Sequence, residues 1–185
     1  FREGSTGLLD HCRILYAGWS MFTEGSYAAY VDAAIVCRVD AAPTISSCEI
    51  ANVAGDGIRI HETASPTIID NDFNGVGWPV YVNTWSALPA NISGNTYASV
   101  QNLGIYYNDP DVPAGEQITW PAYPDGLPYR VEESVDVETG ASLTVEPGVV
   151  VKSYGGNGIV VKGSLQAQGS DTEPIVFTSA LDDEN

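Results

Sequence analysis

Ala42-Pro43-Thr44-Ile45-Ser46-Ser47-Cys48-Glu49-Ile50 returns as Ser65-Pro66-Thr67-Ile68-Ile69-Asp70-Asn71-Asp72-Phe73, and more loosely as Leu88-Pro89-Ala90-Asn91-Ile92-Ser93-Gly94-Asn95-Thr96-Tyr97. The prolines lie 23 residues apart in both intervals. Within each copy an apolar residue is followed five positions later by another, giving the pairs Ile45/Ile50, Ile68/Phe73 and Ile92/Tyr97, with Leu9/Ile14 as an earlier match. A period of this length marks a repeat architecture, in which each unit is one supersecondary element that buries its apolar face only against its neighbours.

Working outward, about a dozen residues after each first apolar position comes another short β-rich stretch: Ala34-Ile35-Val36, Gly57-Ile58-Arg59-Ile60, Pro79-Val80-Tyr81-Val82 and Gly104-Ile105-Tyr106-Tyr107. Gly, Pro, Asn and Asp bound these stretches, and no window holds the i, i+3, i+4, i+7 spacing of a long helix. Toward the C-terminus, Val137 to Ile159 and Leu143 to Leu165 are each 22 residues apart, so the coil length persists. Three strands per turn, each paired with its equivalent one coil away, is the arithmetic of a parallel β-helix. The pattern predicts an all-β solenoid of 22–24 residues per coil with little or no helix. It divides as coils over 1–107, a connector over 108–130 whose five prolines forbid regular central strands, and further coils over 131–185. The first coil is longer than the others: Gly18-Trp19-Ser20-Met21-Phe22-Thr23-Glu24-Gly25-Ser26-Tyr27 reads as an aromatic loop folding back over the solenoid.

Seven basic against 24 acidic residues give a net charge of −17, which repels nucleic-acid phosphates and anionic membranes. No apolar run is long enough to span a bilayer, and the first residues lack the pattern of a signal peptide. Nucleic acid and membrane insertion are therefore excluded as expected partners. Cys12, Cys37 and Cys48 are too few for a disulfide scaffold and lack metal-finger spacing, so they read as small buried residues.

Stacking the repeats superimposes Cys12, Cys48, Asn71 and Asn95, each three positions after the first apolar residue of its coil. In turns that need left-handed backbone, stacked Asn side chains satisfy turn amides, so this set reads as a structural ladder ahead of any catalytic role. The two cysteines read as a thiol stack whose geometry need not suit a disulfide. No closing segment is visible at either end, which suggests a repeat unit of a longer protein.

Leu143-Thr144-Val145-Glu146-Pro147-Gly148-Val149-Val150-Val151-Lys152, with Gly163-Ser164-Leu165-Gln166-Ala167-Gln168-Gly169 and Glu173-Pro174-Ile175-Val176-Phe177-Thr178-Ser179, resembles the opening of large secreted prokaryotic β-helix proteins. The Pro-Thr-Ile copies resemble their later coils. The resemblance implies a right-handed, pectate-lyase-like solenoid at the cell surface, and Gly4-Ser5-Thr6-Gly7 resembles a segment that follows an acidic loop like the one ending at Asn185. Such solenoids host lyases, hydrolases, epimerases, adhesins and surface-layer parts, so the fold specifies no reaction.

An enzyme on this fold needs a carboxylate cluster with a basic residue or calcium beside it. The nearest approach is Asp70 and Asp72, expected to point the same way by strand alternation, with Arg59 and His61 one coil earlier. The hydrolase motifs of the family are missing, and no catalytic residue is assigned. Calcium is the one cofactor worth considering, with Asp182, Asp183 and Glu184 as ligands and Asn108-Asp109-Pro110-Asp111 as a second oxygen-rich loop, although acidic turns that bind nothing are commoner. Trp19, Trp78, Trp85 and Tyr106 are candidate carbohydrate contacts. The leading expectation is a non-enzymatic extracellular scaffold, structural or adhesive, with copies of itself or neighbouring repeats stacked end to end. The alternative is a carbohydrate-active enzyme or carbohydrate-binding module contacting polysaccharide.

Overall fold

Short β-branched runs separated by residues in left-handed backbone turn the chain through each coil, and the computed structural model shows how those coils stack. It describes residues 1–18, 21–24, 27–30, 32–84, 86 and 88–182, with the backbone alone for 21–24 and 27–30. One face stacks β1 (Leu8–Asp10), β6 (Thr44–Ser46), β9 (Thr67–Ile69) and β12 (Asn91–Ser93). A second stacks β2 (Arg13–Leu15), β7 (Glu49–Ala51), β10 (Asp72–Asn74) and β13 (Thr96–Ala98). The third is a seven-stranded sheet of β5 (Ala33–Cys37), β8 (Asp56–Ile60), β11 (Val80–Val82), β14 (Ile105–Tyr107), β16 (Tyr129–Val131), β19 (Val150–Ser153) and β22 (Val176–Ser179). The later coils add the ladders β15 (Gln117–Trp120), β18 (Ser142–Val145), β21 (Ser164–Ala167) and β17 (Val135–Val137), β20 (Ile159–Val161). Each of these ladders is parallel, and the result is a parallel β-solenoid of about six turns with no helix among the described residues.

Registers place like residues over like. Leu9, Ile45, Ile68 and Ile92 form one row, and Ile14, Ile50, Phe73 and Tyr97 form another. Ile58, Val80, Ile105, Tyr129 and Val151 form a third on the long sheet. From Ile45 and Ile50 onward these rows are buried as far as Ile92, Phe73 and Val151. Burying each such side chain contributes about 1.5–3 kcal/mol, offset by the ordering of its coil.

Two segments depart from the repeat. The long first coil carries an antiparallel hairpin of β3 (Met21–Glu24) and β4 (Tyr27–Tyr30) where the sequence reading places an aromatic loop. Across 108–130 the solenoid continues, because β14 pairs directly with β16 while β15 forms the edge of its own ladder. The five prolines of that stretch lie outside the strands. Its interior is filled by large rings: Trp120 stacks on Tyr129 with centroids 5.1 Å apart and meets the edge of Tyr107 at 5.7 Å. Two phenols are satisfied by carbonyls, Tyr123 Oη donating to Pro89 O at 2.8 Å and Tyr129 Oη to Pro121 O at 2.9 Å.

Candidate functional site: the turn ladder and the outer face of the long sheet

The turn between the first two strands of each coil brings Cys12, Cys48, Asn71 and Asn95 into one column. The residue before each is left-handed: His11, Ser47, Asp70 and Gly94 have φ of 52°, 51°, 55° and 70°. Left-handed backbone turns the amide of the next residue away from its own coil, so the partner must come from the neighbouring one. Asn71 Oδ1 accepts from Cys48 N at 3.0 Å, Asn95 Oδ1 from Asn71 N at 2.9 Å, and Cys48 Sγ from Cys12 N at 3.4 Å. Each Asn also donates Nδ2 to a backbone carbonyl of the preceding coil, Ile45 O for Asn71 and Ile68 O for Asn95. The column continues into a residue that the repeat does not single out. Asp125 Oδ2 accepts from Asn95 N at 3.3 Å, from Asn95 Nδ2 at 2.7 Å and from Tyr97 Oη at 2.7 Å. Nothing in the local sequence flags Asp125, because it follows Pro124 outside any copy of the motif.

On the outer face of the seven-stranded sheet the registers align Val36, Arg59, Tyr81, Tyr106, Arg130, Lys152 and Thr178. Three of the chain's seven cations therefore fall in one row. Arg59 lies over the Tyr81 ring at 4.3 Å, Tyr81 stacks on Tyr106 at 4.7 Å, Trp78 meets Tyr106 at 4.9 Å, and Arg130 lies over Trp78 at 5.5 Å. Arg59 also pairs with the buried Asp56, Nε donating to Oδ2 at 3.0 Å. Burial outweighs that cation and raises the Asp56 carboxyl above its ordinary range. Burial, then neighbouring Tyr106, lifts the Tyr81 phenol to about 12, so the row carries no phenolate near neutrality. Lys152 is covered by the turn after β22, donating Nζ to Asp182 O.

The candidate carbohydrate contacts are thus only partly brought together. Trp78 and Tyr106 touch, whereas Trp19 and Trp85 lie outside the described residues. Ring faces in this cluster are spent on one another and on the guanidinium groups. The Asp70/Asp72 constellation is not assembled. Asp70 occupies a left-handed turn rather than a strand, so alternation does not align it with Asp72, and Asp72 accepts from Thr96 Oγ1 at 2.9 Å on a different sheet from Arg59. His61, just beyond β8, is lowered to about 4 by burial first and then by Arg38 and Arg59. Of the candidate calcium ligands, Asp182 Oδ2 accepts from Thr178 Oγ1 at 2.7 Å, and Asp183 and Glu184 lie outside the described residues. In the second acidic loop Asp111 Oδ1 accepts from Asp136 N at 2.8 Å. Among the described residues no three His, Cys, Asp or Glu side chains gather as a metal site requires.

Over 52 residues, 28% of this chain, the sequence is 40% identical to Protein bark beetle of Drosophila melanogaster. The match spans 2% of that protein's length. No protein-family model and no solved structure matches the chain.

At the last described coil the ladders stop over an open face. Phe177 is 50% exposed although its register partner Val151 is 1% exposed, and Val161 is 43% exposed over the fully buried Val137. At the other end Leu9 and Ile14 are only partly covered above buried Ile45 and Ile50.

Proposed function

We propose that this chain is a non-enzymatic structural or adhesive scaffold, part of a longer rod in which solenoid units stack coil upon coil outside the cell. The observation that carries the proposal is the like-on-like register of successive coils: Ile45, Ile68 and Ile92 stack in one buried row and Ile58, Val80 and Ile105 in another, so each coil offers the next a surface like the one it receives. The extracellular setting rests on the acidic charge and on the resemblance to secreted surface solenoids. Light scattering and electron microscopy of the purified chain over a range of concentrations test the stacking. End-to-end multimers that disperse to monomers in a Val161→Lys, Phe177→Lys variant are expected. A chain that stays monomeric at all concentrations overturns this reading.

The row Arg59, Tyr81, Tyr106, Arg130 favours a second reading, contact with an acidic polysaccharide, since two cations flank its rings on an otherwise acidic molecule. The spent ring faces make it the weaker of the two. Titration of the chain with an acidic polysaccharide decides it: salt-sensitive binding lost in Arg130→Ala supports the contact, and no binding at low salt removes it.

A further inference from the structure

We propose that Cys12 and Cys48 form a redox-switched bridge between the first two coils. Asp10 pairs with Ser46 and Arg13 with Glu49, so the two cysteines between them stand opposite one another at the same offset of 36 residues. Neighbouring strands of a ladder lie about 4.8 Å apart, within the roughly 4.4–6.8 Å between Cα atoms that a disulfide spans. The Cys48 sulfur already reaches the neighbouring turn: the Cys12 backbone N–H donates to Cys48 Sγ at 3.4 Å, while the two thiols donate to equivalent carbonyls of their own coils, Asp10 O at 3.5 Å and Ser46 O at 3.0 Å. Cys37 is excluded from the pair because it is fully buried on the long sheet, opposite Ile60.

The chemistry is exchange with a low-molecular-weight disulfide, the oxidant of an extracellular setting. Cys12, the partly exposed thiol, attacks as its thiolate and expels one small thiolate, leaving a mixed disulfide. The Cys48 thiolate then attacks Cys12 Sγ and expels the second. Two protons pass from the cysteines to the departing thiolates, and the small disulfide takes up the two electrons that the protein loses. Burial raises the Cys48 thiol, which lowers its thiolate fraction and slows the second step. The bridge closes the loop that holds the β3–β4 hairpin and fastens the first coil, whose row residues Leu9 and Ile14 are only partly covered, to the buried second.

The test is incubation of the folded chain with oxidised glutathione, followed by peptide mapping without reduction. The expected result is loss of two hydrogens, a Cys12–Cys48 peptide pair, Cys37 unlabelled until denaturant is added, and a rise in Tm of about 5–10 °C. Cys12→Ser abolishes the pair and the rise, whereas Cys37→Ser keeps both. A native chain in which Cys12 stops at the mixed disulfide, or in which Cys37 takes part in the bridge, overturns the proposal.

Discussion

The coils from Ala42 to Tyr107 and the irregular coil that follows them extend the same solenoid by opposite means. The regular coils stack like on like, Ile45 on Ile68 on Ile92 and Phe73 against Tyr97, and hand turn amides to a neighbouring side chain through Asn71 and Asn95. In the irregular coil prolines remove donors and strands, and Trp120, Tyr123 and Tyr129 fill the interior, their phenols anchored on Pro89 and Pro121 carbonyls. Matched residues permit repetition, because each coil offers the next a surface like its own. Large interlocked rings fit one place only, and so fix where the repeat changes.

The widest separation is expected from truncation at the two cores. Trp120→Ala removes a fully buried indole held between Tyr129 and Tyr107 and should cost about 4–5 kcal/mol, while Ile68→Ala should cost about 3 kcal/mol. Urea denaturation of the two variants measures the difference. Equal costs would break the comparison, because the irregular coil would then be held no differently from the regular ones.

Within the turn column the effect should grade with burial. Asn71 is 1% exposed and its removal strands the Cys48 amide and the Ile45 carbonyl, so Asn71→Ala should cost about 2–3 kcal/mol. Asn95 is more open to water, and Asn95→Ala should cost about 1 kcal/mol. Denaturation midpoints at constant slope check the order, and an Asn95 variant as damaged as the Asn71 variant would mean that the column acts as one unit ending at Asp125.

The repeat, its length and the coincidence of Cys12, Cys48, Asn71 and Asn95 were legible because they recur, and recurrence is visible without knowing what touches what. Asp125, Tyr123 and Trp120 were not legible for the converse reason. Each acts once, through a partner 28 to 34 residues away in the case of Tyr97 and Pro89, and no local pattern encodes such a contact. Alternation failed at Asp70 because the left-handed residue there ends one strand before the next begins. The outer row of Arg59, Tyr81, Tyr106 and Arg130 lay in the sequence as the residue between two inward-facing ones in successive strands, but its meaning depended on registers that differ from coil to coil: 22 residues from Arg59 to Tyr81, then 25 to Tyr106.

The smallest effect concerns acid, and it tests whether the regular coils carry a titrating weak point that the irregular coil lacks. His61 is lowered from 6.5 to about 4 by its burial and by Arg38 and Arg59, with Glu62 acting the other way. The unfolded chain therefore takes up the proton first, so this stability is fully present above pH 6.5 and lost progressively as the pH falls toward 4. Because the ring keeps partial contact with water, the loss should be about 1–2 kcal/mol rather than the full value of the shift. Asp56 works in the opposite sense: its raised carboxyl makes the folded chain the better proton acceptor, so acid offsets part of the loss. The difference between the wild-type chain and His61→Gln isolates the histidine, since Asp56 titrates in both. The glutamine variant should show a flatter dependence of urea midpoint on pH across this window, and parallel curves for the two proteins would assign the acid sensitivity to carboxylates elsewhere on the solenoid.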